Sequence, residues 1–251
     1  MKLRKNILVM MTAITCCSIT GPAYANDYIP AKMISYEFFP EYTHIDEGVQ
    51  TIDTTGDEIA VTYKPDIPYV SRKEGQRTLQ ILLPHTRNTP NKNYPLIVYI
   101  QGSAWLKQDV LINQANLAKF AARGYAIAIV QYRETDLAPF PAQIQDTKTA
   151  IRFMRMHAKD YHIDTNNVFV WGDSSGGHTS VMTGITENVP ALDTNTYGNY
   201  STHVNAIVDV FGPTDIRKMN DFPCTWDHRE KNSPEGKLIG GLNVPENEKE
   251  A

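Results

Sequence analysis

The chain has 251 residues, of which 41% are hydrophobic and 21% are charged, and its formal net charge is −4. This composition fits one globular domain with a sizeable core. A mildly acidic chain has no electrostatic basis for binding nucleic acid or anionic membranes, which excludes both as expected partners.

Residues 1–25 have the features of a bacterial signal peptide. Three basic residues near the start precede a mostly apolar run over residues 6–20, which is too short to span a bilayer. Ala23-Tyr24-Ala25 then fits the small-x-small pattern of a cleavage site. We therefore expect a secreted or periplasmic protein without stable membrane insertion after cleavage, and a buried N-terminal helix is the alternative.

The next part of the chain predicts an arm followed by antiparallel strands. Residues 26–58 are polar and rich in aromatic residues without clear periodicity, and we expect an extended arm that packs on the domain. Residues 59–63 predict a first strand. The segments 67–71 and 77–83 flank a turn and predict a β-hairpin, since apolar residues alternate in the second segment.

From residue 95 the pattern changes to short apolar strands that alternate with helical segments. Continuous apolar runs predict a strand that is covered on both faces at residues 96–100 and buried strands at 125–130 and 168–171, and residues 206–210 predict one more strand. Apolar residues at helical spacing predict helices between them, at residues 112–123 and 144–158 and from residue 179. This alternation predicts an α/β three-layer sandwich with a mostly parallel sheet, in a single domain over residues 26–251.

The break between the strand at 168–171 and the following helix carries the sequence Gly172-Asp173-Ser174-Ser175-Gly176. G-x-S-x-G at a strand-to-helix break is the pattern of a nucleophile elbow, in which a strained turn lifts the serine hydroxyl above the sheet edge. The turn is tight, so Gly172 and Gly176 must lack bulk. A structural turn rich in glycine and serine is the alternative.

Taken in order, several segments resemble the α/β-hydrolases, and more narrowly the esterases of the hormone-sensitive-lipase and acetyl-xylan or feruloyl-esterase (BD-FAE-like) group. The segments that carry the resemblance are Gln101 to Trp105, Pro139 to Gln143, Asp146 with Ala150 to Arg152, Gly172 to His178, Gly212 to Asp215, Ser233 to Glu235 and Lys237 to Gly241. The resemblance implies an α/β-hydrolase fold with antiparallel N-terminal strands. It also implies Ser174 as the catalytic nucleophile and Asp173 as a supporting hydrogen-bond acceptor.

Many members of that group have His-Gly-Gly-Gly where this chain has Gln101-Gly102-Ser103-Ala104. An oxyanion hole needs backbone N–H groups that point at the developing charge, and it does not need those particular side chains. The N–H groups of Ser103 and Ala104, beside that of Ser175, are therefore the candidate oxyanion donors. An ordinary loop at the end of a strand is the alternative. Trp105 either lines an acyl pocket or packs beneath the loop.

The triad of this fold follows the chain order serine, acid, histidine. His178 lies one helical turn after Ser174, where its geometry for taking the serine proton is poor. Only one predicted strand follows Ser174, so we expect a chain that lacks the last strands and, with them, the acid and the histidine. Asp146 is expected to be structural. Two alternatives stay open, a catalytically dead relative and a local triad of His203 or His228 with Asp209, Asp215 or Asp227.

The residues and the resemblance together predict a serine carboxylic-ester hydrolase that works through an acyl-enzyme. The resemblance implies small acyl esters as substrates, such as acetyl or feruloyl groups on plant polysaccharide. No metal or organic cofactor is expected, because the histidines are scattered and the sequence contains neither H-E-x-x-H nor a phosphate-binding glycine loop. The alternatives are a serine peptidase similar to the prolyl-oligopeptidase group and a carbohydrate-binding or scaffold protein with a dead site.

Overall fold

A mixed β-sheet forms the centre of the computed structural model, which describes residues 60–85 and 91–251. The six strands within those residues are β1 (Val61–Arg72), β2 (Gly75–Pro84), β3 (Tyr94–Ile100), β4 (Ala126–Val130), β5 (Ile163–Asp173) and β6 (Ala206–Val210). Their order across the sheet is β1-β2-β4-β3-β5-β6. The pairs β1–β2 and β2–β4 are antiparallel and the other pairs are parallel, which confirms the predicted mixed sheet. The predicted signal peptide and arm lie outside the described residues.

Helices cover both faces of the sheet. The α-helices of the described residues are α1 (Gln114–Ala121), α2 (Ala142–Met156), α3 (Ser175–Ile185) and α4 (Pro234–Leu238), and 3-10 helices lie at Pro190–Leu192, Ile216–Lys218 and Val244–Glu246. Leu117 of α1 packs on one face of the sheet, whereas Ile151 and Met154 of α2 pack on the other. α3 lies against β5, β6 and α2. The three-layer α/β architecture is therefore confirmed. Within this part of the chain, no helix has the length and apolarity that crossing a bilayer requires.

The core of the domain holds the ends of two central strands side by side. Val98 of β3 faces Ala128 of β4, and both are fully buried. An unbroken apolar strand is stable here because helices cover both faces, and each large aliphatic side chain that is buried contributes about 1.5–3 kcal/mol. Further along β3, Ile100 faces Gly172 of β5. The loop that follows β3 and the turn that follows β5 therefore begin next to each other.

β1 is a single strand where two strands were predicted. The segments predicted at 59–63 and 67–71 join, because register shifts after Lys64 and after Pro68 absorb the irregular residues between them. β1 is also an edge strand, and a bulged edge tolerates proline since its outer N–H groups need no partner strand. Sequence periodicity did not show that the two segments form one strand, because each bulge resets the alternation.

The helix predicted at 112–123 is shorter in the structure, where α1 ends at Ala121. Gly124 follows with φ 94°, a conformation that favours glycine. The N–H of Tyr125 donates to the carbonyl of Phe120 at 3.2 Å, so the chain turns back towards β4. A glycine therefore ends the turn that follows α1.

β6 forms the outer edge of the described sheet. Val208 on this strand is 47% exposed. An open groove of about 520 Å³ lies on the same side, lined by Ile97, Phe120, Arg123, Tyr125, Phe169, Trp171 and Val208. Among the described residues, β6 thus presents an open sheet edge next to a partly exposed apolar face.

Candidate active site

Ser174 lies at the sharp bend between the last residue of β5 and the first residue of α3. Its backbone has φ 51° and ψ −127°, which is strained for a residue with a side chain. Its N–H donates to the carbonyl of Val210 at 2.9 Å, and its carbonyl accepts from the N–H of His178 at 3.1 Å. These two bonds hold the strained turn between β6 and the first turn of α3. The half-buried Ser174 side chain therefore stands at the carboxyl end of β5.

The two glycines of the elbow are required by close backbone contacts. A Cβ atom on Gly172 would lie 2.2 Å from the carbonyl oxygen of Gly176. A Cβ atom on Gly176 would lie 2.0 Å from the carbonyl oxygen of Ile100, at the end of β3. Side-chain carbons do not approach backbone oxygens this closely. Packing of α3 directly on the ends of β3 and β5 therefore requires glycine at both of these positions of the G-x-S-x-G sequence.

Asp173 links the elbow to the loop that follows β3. Its Oδ1 accepts a hydrogen bond from the hydroxyl of Tyr99 at 2.7 Å and one from the N–H of Gly102 at 3.2 Å. Asn113 donates to the same hydroxyl at 2.7 Å. Burial, followed by the hydrogen bond to Asp173, raises the pKa of Tyr99, so its hydroxyl stays protonated. The structure thus places Asp173 as a hydrogen-bond acceptor, while nothing in the sequence pointed to Tyr99 or Asn113.

The three amides predicted as oxyanion donors lie in two different environments. The N–H of Ser103 donates to the Ser175 hydroxyl oxygen at 2.9 Å, so its hydrogen is already engaged. No other described residue accepts a hydrogen bond from the N–H of Ala104 or of Ser175. Ser175 opens α3, and the first amides of a helix have no partner within the helix. Of the three predicted amides, those of Ala104 and Ser175 are therefore open donors, and Ser103 joins them only if the Ser175 hydroxyl turns away.

Tyr132 supports this loop from the interior of the protein. Its hydroxyl lies 3.0 Å from Ser103 Oγ and 3.3 Å from the carbonyl oxygen of Gln101. Ser103 Oγ in turn donates to the carbonyl of Leu106 at 2.7 Å. Burial raises the pKa of Tyr132 to about 12, so the hydroxyl is neutral at physiological pH. Sequence reasoning missed Tyr132 because its contact with the loop is made only by the parallel pairing of β3 and β4.

The imidazole of His178 is held by the indole of Trp105 and makes no hydrogen bond to Ser174 Oγ. Trp105 is only 2% exposed, and its Nε1 donates to His178 Nδ1 at 3.3 Å. Burial lowers the pKa of His178 to about 4, which makes it a weak base at neutral pH. Trp105 also packs with Ile216 and Leu238, so the packing interpretation of this tryptophan is the one that the structure supports.

The other candidate acids and histidines pair locally. His203 Nδ1 lies 3.0 Å from Glu187, and His228 Nδ1 lies 2.9 Å from Glu235. The three carboxylates considered for a local triad are occupied by the N–H of Gly212 for Asp209, by Arg217 for Asp215 and by Arg229 for Asp227. Within residues 60–85 and 91–251, no histidine hydrogen bonds to Ser174 Oγ. The hypothesis of a local triad is therefore wrong for this structure.

Solved structures of carbohydrate esterases resemble this chain. A truncated form of carbohydrate esterase from gut microbiota is 30% identical with a TM-score of 0.64, and the match covers 76% of this chain and 70% of that chain. A bifunctional GH43-CE protein of Bacteroides eggerthii is 34% identical with a TM-score of 0.64, over 74% of this chain and 27% of that chain.

Curated relatives include esterase LipC of Mycobacterium tuberculosis (strain ATCC 25618 / H37Rv), which is 32% identical over 130 residues. That match covers 51% of this chain and 32% of the relative, so the match spans about a third of the relative's length. The family model BD-FAE matches residues 79–251, which is more than half of the chain. The bend at Ser174, the strand order and this match agree, and the chain belongs to the BD-FAE family of α/β-hydrolases.

Proposed function

We propose that this chain is a serine-type carboxylic-ester hydrolase with Ser174 as its nucleophile. The observation that carries the proposal is the strained backbone of Ser174, with φ 51°, at the carboxyl end of a central strand. Strain of this kind is kept at functional sites because the surrounding structure holds it in place. The names of the relatives, esterases and carbohydrate esterases, support the same chemistry.

The reaction begins with attack of Ser174 Oγ on the ester carbonyl carbon. The carbonyl oxygen takes up negative charge, and the open N–H groups of Ala104 and Ser175 donate to it. One such donor typically contributes about 10²–10³-fold to kcat. A general base takes the Ser174 proton and passes it to the leaving alcohol, and water then releases the acid from the acyl-enzyme and restores the Ser174 hydroxyl. A general base must lie about 2.6–3.2 Å from Ser174 Oγ, and we assign that role to none of the described histidines.

The substrates that we propose are acetyl or feruloyl esters on plant polysaccharide. The support comes from the BD-FAE family match and from the carbohydrate esterases among the similar structures. A polymeric substrate of this kind is met outside the cytoplasm, and residues 1–25 carry the pattern of a signal peptide. N-terminal sequencing of the exported protein, with Asn26 expected first, tests this part of the proposal.

The test of the nucleophile is hydrolysis of p-nitrophenyl acetate by the purified chain. Replacement Ser174→Ala should lower kcat/KM by at least about a thousandfold. The matched control is Ser201→Ala, because Ser201 is an exposed serine in the loop before β6. A phosphonate ester should label Ser174, and mass spectrometry of the tryptic peptides locates the adduct.

Equal hydrolysis by wild type and Ser174→Ala would exclude Ser174 as the nucleophile. A dipeptidyl anilide separates the esterase from a serine peptidase, and only a peptidase cleaves the anilide faster than the ester. Absence of both turnover and labelling in the wild type would favour the alternative hypothesis, a catalytically dead carbohydrate-binding relative.

A further inference from the structure

An open cleft of about 550 Å³ lies in the segment between the 3-10 helix at Ile216–Lys218 and α4. It is lined by Pro223, Cys224, Thr225, Trp226 and His228. Trp226 is 61% exposed, and the neighbouring Phe222 is 76% exposed. Large aromatic side chains exposed at a cleft are typical of a contact with a ligand or partner. We call the five lining residues, Pro223 to Trp226 with His228, the aromatic cleft.

The imidazole of His228 has a fixed orientation in the aromatic cleft. Its Nδ1 lies 2.9 Å from Glu235 Oε2, and the Glu235 side chain is only 3% exposed. A carboxylate oxygen accepts, so Nδ1 carries the hydrogen of this bond and Nε2 is left for other partners. A histidine whose tautomer is set by a buried carboxylate is a polar group ready to bind a hydroxyl.

The loop that carries the aromatic cleft is closed by its own hydrogen bonds. Asn220 Oδ1 accepts from the N–H of His228 at 2.9 Å, and Asn220 Nδ2 donates to Asp227 at 3.1 Å. On the other side, Ser233 Oγ donates to the carbonyl of His228 at 2.9 Å. A loop that is ordered before binding loses little conformational entropy when it binds a ligand.

The chemistry of the lining residues selects a neutral ligand. Among the five that line the cleft, none is Asp, Glu, Lys or Arg, and the adjacent Asp227 pairs with Arg229 at 3.0 Å. The lining therefore offers an aromatic face and an imidazole nitrogen. A sugar ring matches this pair, because its C–H face packs on an aromatic ring and its hydroxyls bind the imidazole.

The aromatic cleft lies on the segment that packs against the candidate active site. Ile216 and Leu238, on the two sides of this segment, pack with Trp105. Trp105 follows Ala104, one of the candidate oxyanion donors, and its indole binds His178 of α3. The segment that carries the aromatic cleft is thus packed against the loop beside Ser174, so a polymer bound in the cleft is bound to the same packed part of the protein.

We propose that the aromatic cleft binds sugar rings of the polysaccharide that carries the ester. This inference rests on the proposed function for its choice of polysaccharide, and it adds a binding site outside the elbow. Trp226 stacks on the sugar, and His228, oriented by Glu235, binds a sugar hydroxyl through Nε2.

The test measures binding of soluble xylan by affinity electrophoresis in a Ser174→Ala background, where no turnover interferes. Replacement Trp226→Ala should weaken binding by about fivefold or more, since a stacked aromatic is lost. The matched control is Phe211→Ala, an aromatic that is 77% exposed after β6 and does not line the cleft. Both side chains are exposed, so urea unfolding should give equal stability for the two variants.

A second measurement compares two substrates with Ser174 intact. In Trp226→Ala, activity on acetylated xylan should fall at least about fivefold relative to activity on p-nitrophenyl acetate. Failure of the wild type to hydrolyse either ester contradicts the proposed function, while xylan binding that depends on Trp226 still supports the cleft. Absence of xylan binding, or equal weakening by Phe211→Ala, overturns the cleft. Self-association that Trp226→Ala abolishes, without xylan binding, would assign the surface to a protein contact instead and also overturn it.

Discussion

Replacement Asp146→Asn should destabilise the protein strongly, because Asp146 is the centre of a buried ionic network. Its side chain is fully buried on α2. Oδ1 accepts from Arg72 Nε at 2.7 Å, and Oδ2 accepts from Arg133 Nε and from the Arg133 backbone N–H, each at 2.9 Å. Asp146 therefore ties β1 and the segment after β4 to α2. Arg133 directly follows Tyr132, so the network also supports the loop of the candidate active site.

Asparagine keeps the shape of Asp146 but removes the charge and points an amide NH₂ at arginine donors. Removing one partner of a buried pair costs about 3–5 kcal/mol, because the remaining charges stay buried without compensation. For a chain of this size, 1 kcal/mol corresponds to about 2–4 °C in Tm. We therefore expect Tm to fall by about 6–20 °C.

The assay is urea unfolding followed by far-UV circular dichroism, with the free energy of unfolding compared between variants. The control is Asp160→Asn on the protein surface, where a carboxylate that is 67% exposed pairs with His157. An exposed pair of this kind contributes at most about 1 kcal/mol. In the background Arg133→Met, the cost of Asp146→Asn should be smaller, since one buried donor is already gone. A cost below about 1 kcal/mol in the wild-type background would refute the reasoning.

Three further changes probe the site. Histidine has a pKa near 6.5 in the unfolded chain, whereas burial lowers the pKa of His178 to about 4 in the folded protein. Between pH 4 and 6.5 the unfolded state therefore binds one proton that the folded state does not. Stability should fall by up to about 3 kcal/mol as pH drops from 6.5 to 4, and urea unfolding of His178→Gln should show a smaller fall. Replacement Gly176→Ala forces a methyl group to 2.0 Å from the Ile100 oxygen. Calorimetry should show that the free energy of unfolding falls by at least about 2 kcal/mol, and the variant should no longer hydrolyse p-nitrophenyl acetate. Replacement Tyr132→Phe removes the hydroxyl that contacts Ser103. Urea unfolding should show that the free energy of unfolding falls by about 1 kcal/mol, and the ester assay should show a lower kcat.

Each of these predictions can be contradicted. Equal pH dependence in His178→Gln and wild type would mean that this imidazole is not buried neutral. Full activity of Gly176→Ala would show that the elbow is less tightly packed than the distances indicate. Unchanged stability and kcat in Tyr132→Phe would show that the loop beside Ser174 is held without this hydroxyl.

The amino-acid sequence by itself determined the elements and the elbow. Strands β3, β4 and β5 were predicted because unbroken apolar runs have few other stable placements than the interior of a covered sheet. The elbow was predicted because Gly172 and Gly176 bracket Ser174 at the end of such a run. These signals are local, since each depends on residues within a few positions of one another.

Only the tertiary structure decided which partners meet. The engagement of the Ser103 amide by Ser175, and the hydroxyl of Tyr132 next to Ser103, join segments far apart in the chain. The same holds for the pairing of Arg72 with Asp146, which are 74 positions apart. The physical reason is that side-chain hydrogen bonds depend on which strands are neighbours and in what register, and the order β1-β2-β4-β3-β5-β6 cannot be read from periodicity alone.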